Sequence, residues 1–409
     1  MSRVLNAWNA LRGVEKSQEL TLQQPVGWEL LTGGPTYTGK TVSIKTLLQM
    51  SATWSAIRLI SETIGTLPLH LYRRTSAGRE RAVDHDLYRI IHMQPNPHMT
   101  SVEWREAIAV SLCCWGQAYC ENHVLGPRSL RTIGITPLPK PNVTPFQTST
   151  GDIHWRVTKK GSVSEMERGH IIPIKGFGGV ESMEGYAPYH MHRESLAIGA
   201  AAEEYAARFF ENGGHPSALL IGERWPDEAN AKRLEGLVSK AVGKLLAIGG
   251  GYKYQKVTGT NSEAQLMEMR EFQIAEAARI WRVPKSMLMA AEGNEKYSNN
   301  EQQNLHFLQY TLRPYLVRIE QALNTTLLSR SEQKEYYIEF DVKGLLRGDS
   351  RARGEWYRNM RMVSAMTINE VRRAENLPEI VGGDDVHVPL NMAPLDQLSN
   401  ILGGNNGDA

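Results

Sequence analysis

Between Glu292 and Asn324 the chain reads EGNEKYSNNEQQNLHFLQYTLRPYLVRIEQALN, a polar stretch that passes abruptly into strong helical periodicity. Leu305, Leu308, Leu312, Tyr315, Ile319 and Leu323 recur at steps of three and four, the spacing that lines one face of a helix. Such a face has to be buried, so the helix belongs to a core. Ser298 followed by Glu301 has the form of a capping box and fixes the predicted helix start. Pro314 lies inside the run. It has no N–H to donate and its ring strikes the carbonyl four residues back, which predicts a kink or two abutting helices. The residues in front, Gly293 to Asn299, carry no apolar anchor and read as a loop.

With 409 residues the chain has room for two or three domains with substantial cores. Lys and Arg number 46 against 44 Asp and Glu, and a net charge of +2 excludes a protein that grips nucleic acid by bulk charge. No apolar run approaches the roughly 20 residues of a membrane span. The start MSRVLNAWNALRG is amphipathic rather than signal-like, so a cytosolic chain without membrane contact is expected. Cys113, Cys114 and Cys120 lack metal or redox spacing and are expected as reduced core thiols. Asp84, His85, His92 and His98 crowd one region without zinc-type pairs, so no metal and no cofactor is expected.

Residues 1–38 read as an arm. Leu47, Met50, Trp54, Ile57, Ile60 and Ile64 then mark an amphipathic helix, and Leu67, Leu69 and Leu71 alternate as in a strand. Thr100 with Glu103 caps the next helix. Ile153, Trp155 and Val157 alternate before a Lys-Lys-Gly turn. An Ala-rich helix from Arg193, suited to close packing, stops at Asn212 and Gly213. A helix from Asp227, a Gly-rich excursion with the strand-like YKYQKV, and a helix capped by Ser262 and Gln265 follow. Pro284 ends that helix. After the long helix come a strand YYIEFDV and two short helices, the second capped by Thr367 and Glu370, then a Gly/Asn tail. The fold class is α+β, with a mainly helical C-terminal half.

Gly34 to Thr41 satisfies the expression G-x-x-x-x-G-K-[ST] of a phosphate-binding loop. The mechanism needs a buried strand before the loop, successive backbone donors and a helix opening directly after the lysine. Here Pro35 removes a donor and VSIK separates Thr41 from any helical pattern, so an ordinary loop is expected. Gly249 to Gly251 lack a phosphate-loop context and read as a hinge, and no nucleophile–base constellation stands out. Arg347, Arg351, Arg353, Arg358, Arg361, Arg372 and Arg373 interleave with acidic residues and read as a solvated helix surface.

The string ATWSAIRLISETIGTLPLHLYRRTSAGRERAVDHDLYRIIHMQPNP resembles the N-terminal signature of tailed-bacteriophage portal proteins of the HK97 type. Further matches follow in order: SLCCWGQAYCE, ITPLPKPNVTP, EEYAARFFENGGHPSALL, VPKSML, SNNEQQNLHFLQYTLRPYLVRIEQALN, FDVKGLLRGDSRARGEWY and MTINEVRRAENLPEIVGGDDVHVPLNMAPLD. The resemblance spans Gly39 to Asp396. Lys285 departs from the second proline common in VPP, and the stretch after Met289 is where the family varies most.

The resemblance implies a portal fold of wing (39–225), first stem helix (226–242), clip (243–261), second stem helix (262–283), tunnel-loop region (284–300), long wing helix and strand (301–345) and crown (346–396), with a tail at 397–409. It implies a homo-oligomeric, usually dodecameric, ring at one capsid vertex that passes double-stranded DNA without reading sequence. The implied partners are the large terminase subunit, the major capsid protein and a head–tail connector. Catalysis is not implied for this chain; the rivals are a P-loop ATPase of the packaging motor and a head–tail adaptor ring. The implied location is the virion, and the host cytoplasm during assembly. Glu292, Asn294, Glu295, Lys296, Tyr297 and Asn299 correspond to the DNA-facing tunnel loop. Tyr252, Lys253, Tyr254, Gln255 and Lys256 correspond to the clip, expected to contact terminase and to join neighbouring subunits by strand pairing.

Overall fold

The computed structural model describes residues 36–76, 78–126, 131–178, 183–211, 218–221, 253–256, 262–288, 300–346, 350–375 and 377–386. The chain divides into two units, residues 1–297 with 306–341, and residues 298–305 with 342–409. The helix expected from Asp227, the Gly249 run and the Ser298 cap lie outside the described residues.

The larger unit is α+β. Its first helices are α1 (Ile44–Gln49), capped by the Ser43 hydroxyl, and α2 (Ser51–Thr66). α2 buries Ile57, Ile60 and Ile64 as its periodicity requires, whereas Trp54 stands 48% exposed. β1 (Leu69–Thr75) departs from the expected alternation: Leu69, His70, Leu71 and Tyr72 are all buried. Both faces are covered there, because His70 stacks on His92 of α3 (Asp86–His92) with ring centroids 4.6 Å apart. β1 is the middle strand of an antiparallel sheet, between β2 (Gly78–Arg81) and a strand from late in the chain, Tyr336–Phe340.

α4 (Ser101–Trp115) starts in the predicted capping box of Thr100 and Glu103 and packs along α2. Its Arg105 is buried and donates through Nε and Nη2 to the Gly65 carbonyl at 3.0 and 2.8 Å. A cation thereby satisfies an orphan acceptor at the C-terminal end of α2. α4 ends at Gly116 with φ +70°, whose carbonyl accepts the Gly176 N–H at 2.8 Å. A Cβ at Gly176 or Gly185 would stand 2.3 or 2.0 Å from that oxygen, so three backbone segments meet where only glycine fits.

Two small sheets follow. One orders β4 (Thr132–Leu138), β3 (Gln117–Val124) and β8 (Ile171–Lys175); the other orders β5 (Val143–Gln147), β6 (Ile153–Lys159) and β7 (Ser162–Met166). They share a core of Tyr119, Leu138, Val143, Trp155, Val157 and Ile171. The Lys-Lys-Gly signal forms the β6–β7 turn, with φ +45° at Lys160 and +85° at Gly161. Both values suit a two-residue hairpin whose twist matches the strands. Ile153, expected inside, is 43% exposed at the strand start.

α5 (Pro188–Met191) leads into α6 (Arg193–Glu211), which packs on α7 (Ser262–Trp281). The close approach expected of the Ala-rich helix occurs at Gly199, whose carbonyl accepts Gln273 Nε2 at 3.0 Å. A shorter pair, β9 (Ala218–Ile221) and β10 (Lys253–Lys256), forms an antiparallel ladder.

Asn300–His306 is helical (α8), Phe307–Leu312 takes π-helical geometry and Arg313–Leu327 is α-helical (α9). Pro314 lies in the first turn of α9, where the helix type changes, in agreement with the expected abutment of two helical segments. At this junction the Arg313 N–H reaches back five residues to the Leu308 carbonyl. That wider turn gives the proline ring room at the Tyr310 carbonyl. Leu308, Leu312, Leu316, Ile319 and Leu323 are buried, while Leu305 is 46% exposed and Tyr315 half-buried. α10 (Glu332–Glu335) precedes β11 (Tyr336–Phe340). Asn324 of α9 donates to the Ile338 carbonyl at 2.9 Å and accepts the Ile338 N–H at 2.8 Å.

The smaller unit contains α11 (Lys343–Leu346), α12 (Ser350–Met362) and α13 (Ile368–Ala374), the last starting in the predicted box of Thr367 and Glu370. Buried Asn369 ties it together: Oδ1 accepts the Ile380 N–H and Nδ2 donates to the Ile380 carbonyl and Asp384. The expected solvated arginine surface holds here, since Arg353 pairs with Glu375 at 3.1 Å and Arg373 with Glu379 and Asp384 at 2.7 and 3.0 Å. No helix among the described residues is long and apolar enough to cross a membrane.

Candidate functional site

The tunnel-loop candidates Glu292, Asn294, Glu295, Lys296, Tyr297 and Asn299 lie outside the described residues, as does Tyr252. α7 ends at Trp281 and turns through Arg282, whose φ is +56°. The Arg282 N–H donates to the Arg279 carbonyl at 3.4 Å and the Val283 N–H to the Ala278 carbonyl at 3.0 Å. This pair of bonds closes a helix end when one residue turns left-handed, a position that usually holds glycine. Val283 is buried, Pro284 prevents further helix, and Lys285–Leu288 form a 3₁₀ turn.

The turn is fastened to the core by side chains from distant segments. Trp281 is 1% exposed, and its Nε1–H donates to the Cys113 carbonyl of α4 at 3.0 Å. Thr311, within the π turn, donates its hydroxyl to the Arg282 carbonyl. The two ends of the chain that flank 289–299 are thus joined by a direct hydrogen bond, on the near side from Arg282 and on the far side from Thr311. Tyr315, one turn further on, hydrogen-bonds the Cys113 thiol, and burial pushes the pKa of both groups well up. Arg318 continues the seam by donating to the Lys175 and Gly176 carbonyls at 3.2 and 2.7 Å. Leu305, Leu308 and their periodic partners revealed the helix in the sequence. Trp281, Arg282 and Thr311 did not stand out, and the only signal was a large aromatic residue just before Val-Pro.

The three cysteines are buried and free, as expected. Desolvation pushes the Cys114 and Cys120 thiols up to about 12, so they are neutral packing groups rather than nucleophiles. No group of His, Cys, Asp and Glu among the described residues could hold a metal ion.

The clip candidates Lys253, Tyr254, Gln255 and Lys256 form β10. Their ladder partner is β9 of the same chain, with Tyr254 opposite Leu220 and Gln255 opposite Leu219. This ladder closes one edge of β10 within the chain, and the expected pairing with a neighbouring subunit would use the strand's other edge.

The phosphate-loop expression folds differently from its mechanism. The Gly39 N–H turns back to the Thr36 carbonyl at 2.8 Å, the Tyr37 N–H goes to Glu194 Oε2 at 3.1 Å, and Lys40 is ion-paired with Glu204. The helix opens only at Ile44. Backbone donors that a phosphate would need are thus already engaged, and the lysine faces a carboxylate.

Residues 51–376 match the family described as phage portal protein. The portal protein of Enterobacteria phage HK97 is 30% identical over 373 residues, covering 88% of this chain and 87% of that one. The probable portal protein of Streptomyces phage phiC31 is 26% identical over 414 residues, covering 95% and 90%. Among solved structures, the neck of an empty gene transfer agent particle superposes with a TM-score of 0.61 at 18% identity, over 82% of this chain and 93% of that chain. An HK97-family phage portal protein from Corynebacterium diphtheriae superposes with a TM-score of 0.57 at 17% identity, over 75% and 96%. With most of its length matched in order and its α+β architecture shared, the chain belongs to the phage portal protein family.

Proposed function

We propose that the chain assembles into a ring, a dodecamer in the particle, which sits at one vertex of the phage capsid and conducts double-stranded DNA during packaging and ejection. In this reading residues 39–225 and 301–345 form the wing, 226–242 and 262–283 the stem, 243–261 the clip and 346–396 the crown. Glu292, Asn294, Glu295, Lys296, Tyr297 and Asn299 face the DNA. The observation that carries it is the match to the family over residues 51–376. The hydrogen bond from Thr311 to the Arg282 carbonyl supports the loop assignment, because it fastens the base of the polar segment whose tip would move past DNA.

A net charge of +2 suits a conduit. Each phosphate neutralised by a fixed cation adds salt-dependent affinity, and a strongly basic wall would hold a duplex that has to slide. Contacts to phosphates without base readout let every sequence pass. Tyr252 and the β10 residues are the surface we assign to terminase, with the major capsid protein and a head–tail connector as further partners. The chain acts in the virion after assembly in the host cytoplasm, and it performs no catalysis itself.

Electron microscopy of the purified protein tests the ring. Closed rings with a central opening are expected, and a monomer or dimer under every condition would overturn the proposal. The ATPase alternative is tested separately. The engagement of Lys40 by Glu204 supports an inert loop, so purified protein should neither bind nor hydrolyse ATP, and Lys40→Ala should change neither.

A further inference from the structure

The two outer edges of the sheet β11-β1-β2 are treated differently. In β1 the Leu71 carbonyl accepts the Ala82 N–H at 2.9 Å, so Leu71 and Ala82 form a hydrogen-bonded pair. Pairs alternate along an antiparallel ladder, which makes Arg73–Glu80 and Thr75–Gly78 hydrogen-bonded and leaves Tyr72–Arg81 and Arg74–Arg79 not. The N–H and C=O groups of Arg79 and Arg81 therefore face away from β1. The same alternation turns Ile338 and Phe340 outward on β11. There the edge is closed: Asn324 bonds both groups of Ile338, and Glu320 accepts the Phe340 N–H at 2.9 Å. On β2 no described strand or side chain does the equivalent.

The side chains beside this open edge form a prearranged stack. Arg79 lies 4.6 Å over the Tyr72 ring, Tyr72 stacks on Tyr337 at 5.6 Å, and Arg74 lies 4.6 Å over Tyr337. Stacking fixes guanidinium planes and leaves their edges free to donate. The local anions are already assigned: Glu339 pairs with Arg79, Asp341 with Arg81 at 3.7 Å, and Glu80 stands across from Arg73. Arg74 has no carboxylate partner among the described residues.

We propose that the β2 edge is a docking site for an extended acidic segment of a partner protein, which adds as a fourth strand outside Arg79 and Arg81. Its backbone would pair with the outward groups of these two residues, and its alternate carboxylates would meet the stacked arginines on one face. Charge selects the occupant. A second copy of β2 laid antiparallel on the first sets arginine across from arginine in every register that uses these donors, and like charges directly opposite oppose pairing. An acidic strand turns the same positions into opposite-charge pairs. This inference is independent of the conduit reading, since it concerns a different surface.

The test is fluorescence anisotropy on the full chain, using a labelled peptide that alternates glutamate with threonine. The same peptide with lysine in place of glutamate and a single-stranded oligodeoxynucleotide serve as competing probes. The acidic peptide alone should bind. Arg81→Ala keeps the outward N–H and loses one side chain, whereas Arg81→Pro also removes the donor without touching the ladder to β1, and Glu80 before it is extended. Proline should weaken binding roughly tenfold beyond alanine. Arg74→Glu, exposed and in a non-hydrogen-bonded pair of the ladder, should abolish binding with an unchanged circular dichroism spectrum. No binding of the acidic peptide, equal binding of the lysine peptide, preference for the oligonucleotide, or identical affinities for Arg81→Pro and Arg81→Ala would each overturn the proposal.

Discussion

Glu320 on α9 accepts the Phe340 N–H of β11 at 2.9 Å from a largely buried position. Burial raises its pKa to about 7, against the pull of that N–H, and the charge of Glu339 adds to the rise. The folded chain then holds a proton that the unfolded chain has released above its ordinary pKa of 4.5. Stability from this group is full below pH 4.5 and is lost as pH rises toward 7. Glu320→Gln keeps an acceptor for Phe340 without the charge. It should stabilise the protein at pH 8 by roughly 1–2 kcal/mol, after discounting for partial solvent screening, and have little effect at pH 4. Urea denaturation at both pH values checks this.

His70 titrates in the opposite sense. Burial lowers its pKa to about 4, with Arg81, His92 and Arg105 adding repulsion and Asp341 opposing it. Its Nδ1 shares a 3.0 Å hydrogen bond with the Tyr88 hydroxyl, which links β1 to α3. The unfolded chain binds the proton first, so this group's contribution is present above pH 6.5 and lost as pH falls toward 4. His70→Phe should flatten that part of the acid-unfolding curve by about 1–2 kcal/mol, although it loses the Tyr88 bond at neutral pH. A variant whose acid midpoint matches wild type would remove His70 from the account.

The turn after α7 makes a geometric prediction. Arg282 holds φ +56° without being glycine, a conformation that costs an L-residue about 1 kcal/mol. Arg282→Gly should be neutral or stabilising by up to about 1 kcal/mol. Arg282→Val, branched at Cβ, should destabilise. Trp281→Phe keeps most of the ring but orphans the Cys113 carbonyl, at a cost of about 1–2 kcal/mol. Thermal denaturation should place Arg282→Gly at or above wild type and Arg282→Val and Trp281→Phe below it, and a destabilised glycine variant would contradict the strain argument.

Much of this was legible in the sequence. The capping boxes at Thr100 and Thr367 form as their spacing demands, and the helix faces around Ile60 and Ile319 are buried, because both signals depend only on neighbours a turn away. Trp54 and Leu305 obey the same periodicity yet stand exposed, since periodicity marks a face without saying how wide its cover is. His70 sits where alternation predicts solvent, and only the arrival of α3 buries it. The π turn and the Trp281 and Thr311 bonds were hidden for the same reason: each depends on a partner far away in sequence. The family was legible in ordered resemblance along the chain, which no single motif carries, and the one literal motif, at Gly34 to Thr41, was discounted by its setting, with Pro35 inside it and VSIK after it.

The final prediction concerns residues 292–299. If they line a DNA channel, removing part of the segment should separate assembly from transport. Gly293 to Tyr297 contains one large ring, at Tyr297, and no aliphatic side chain, so its shortening withdraws little apolar area from any core. The bonds that fasten the base, from Trp281 to Cys113 and from Thr311 to Arg282, lie outside the deletion. Rings of the shortened protein should therefore form normally, with thermal stability within about 1 kcal/mol of wild type. DNA packaged per procapsid, or its retention, should fall. Lys296→Ala should have a smaller effect that fades as salt rises, because one exposed phosphate contact per subunit is weak alone and is screened over about 10 Å at moderate ionic strength. Unchanged packaging and retention with shortened rings would remove the segment from the DNA path, while failure of the rings to assemble would make it a structural element of the ring instead.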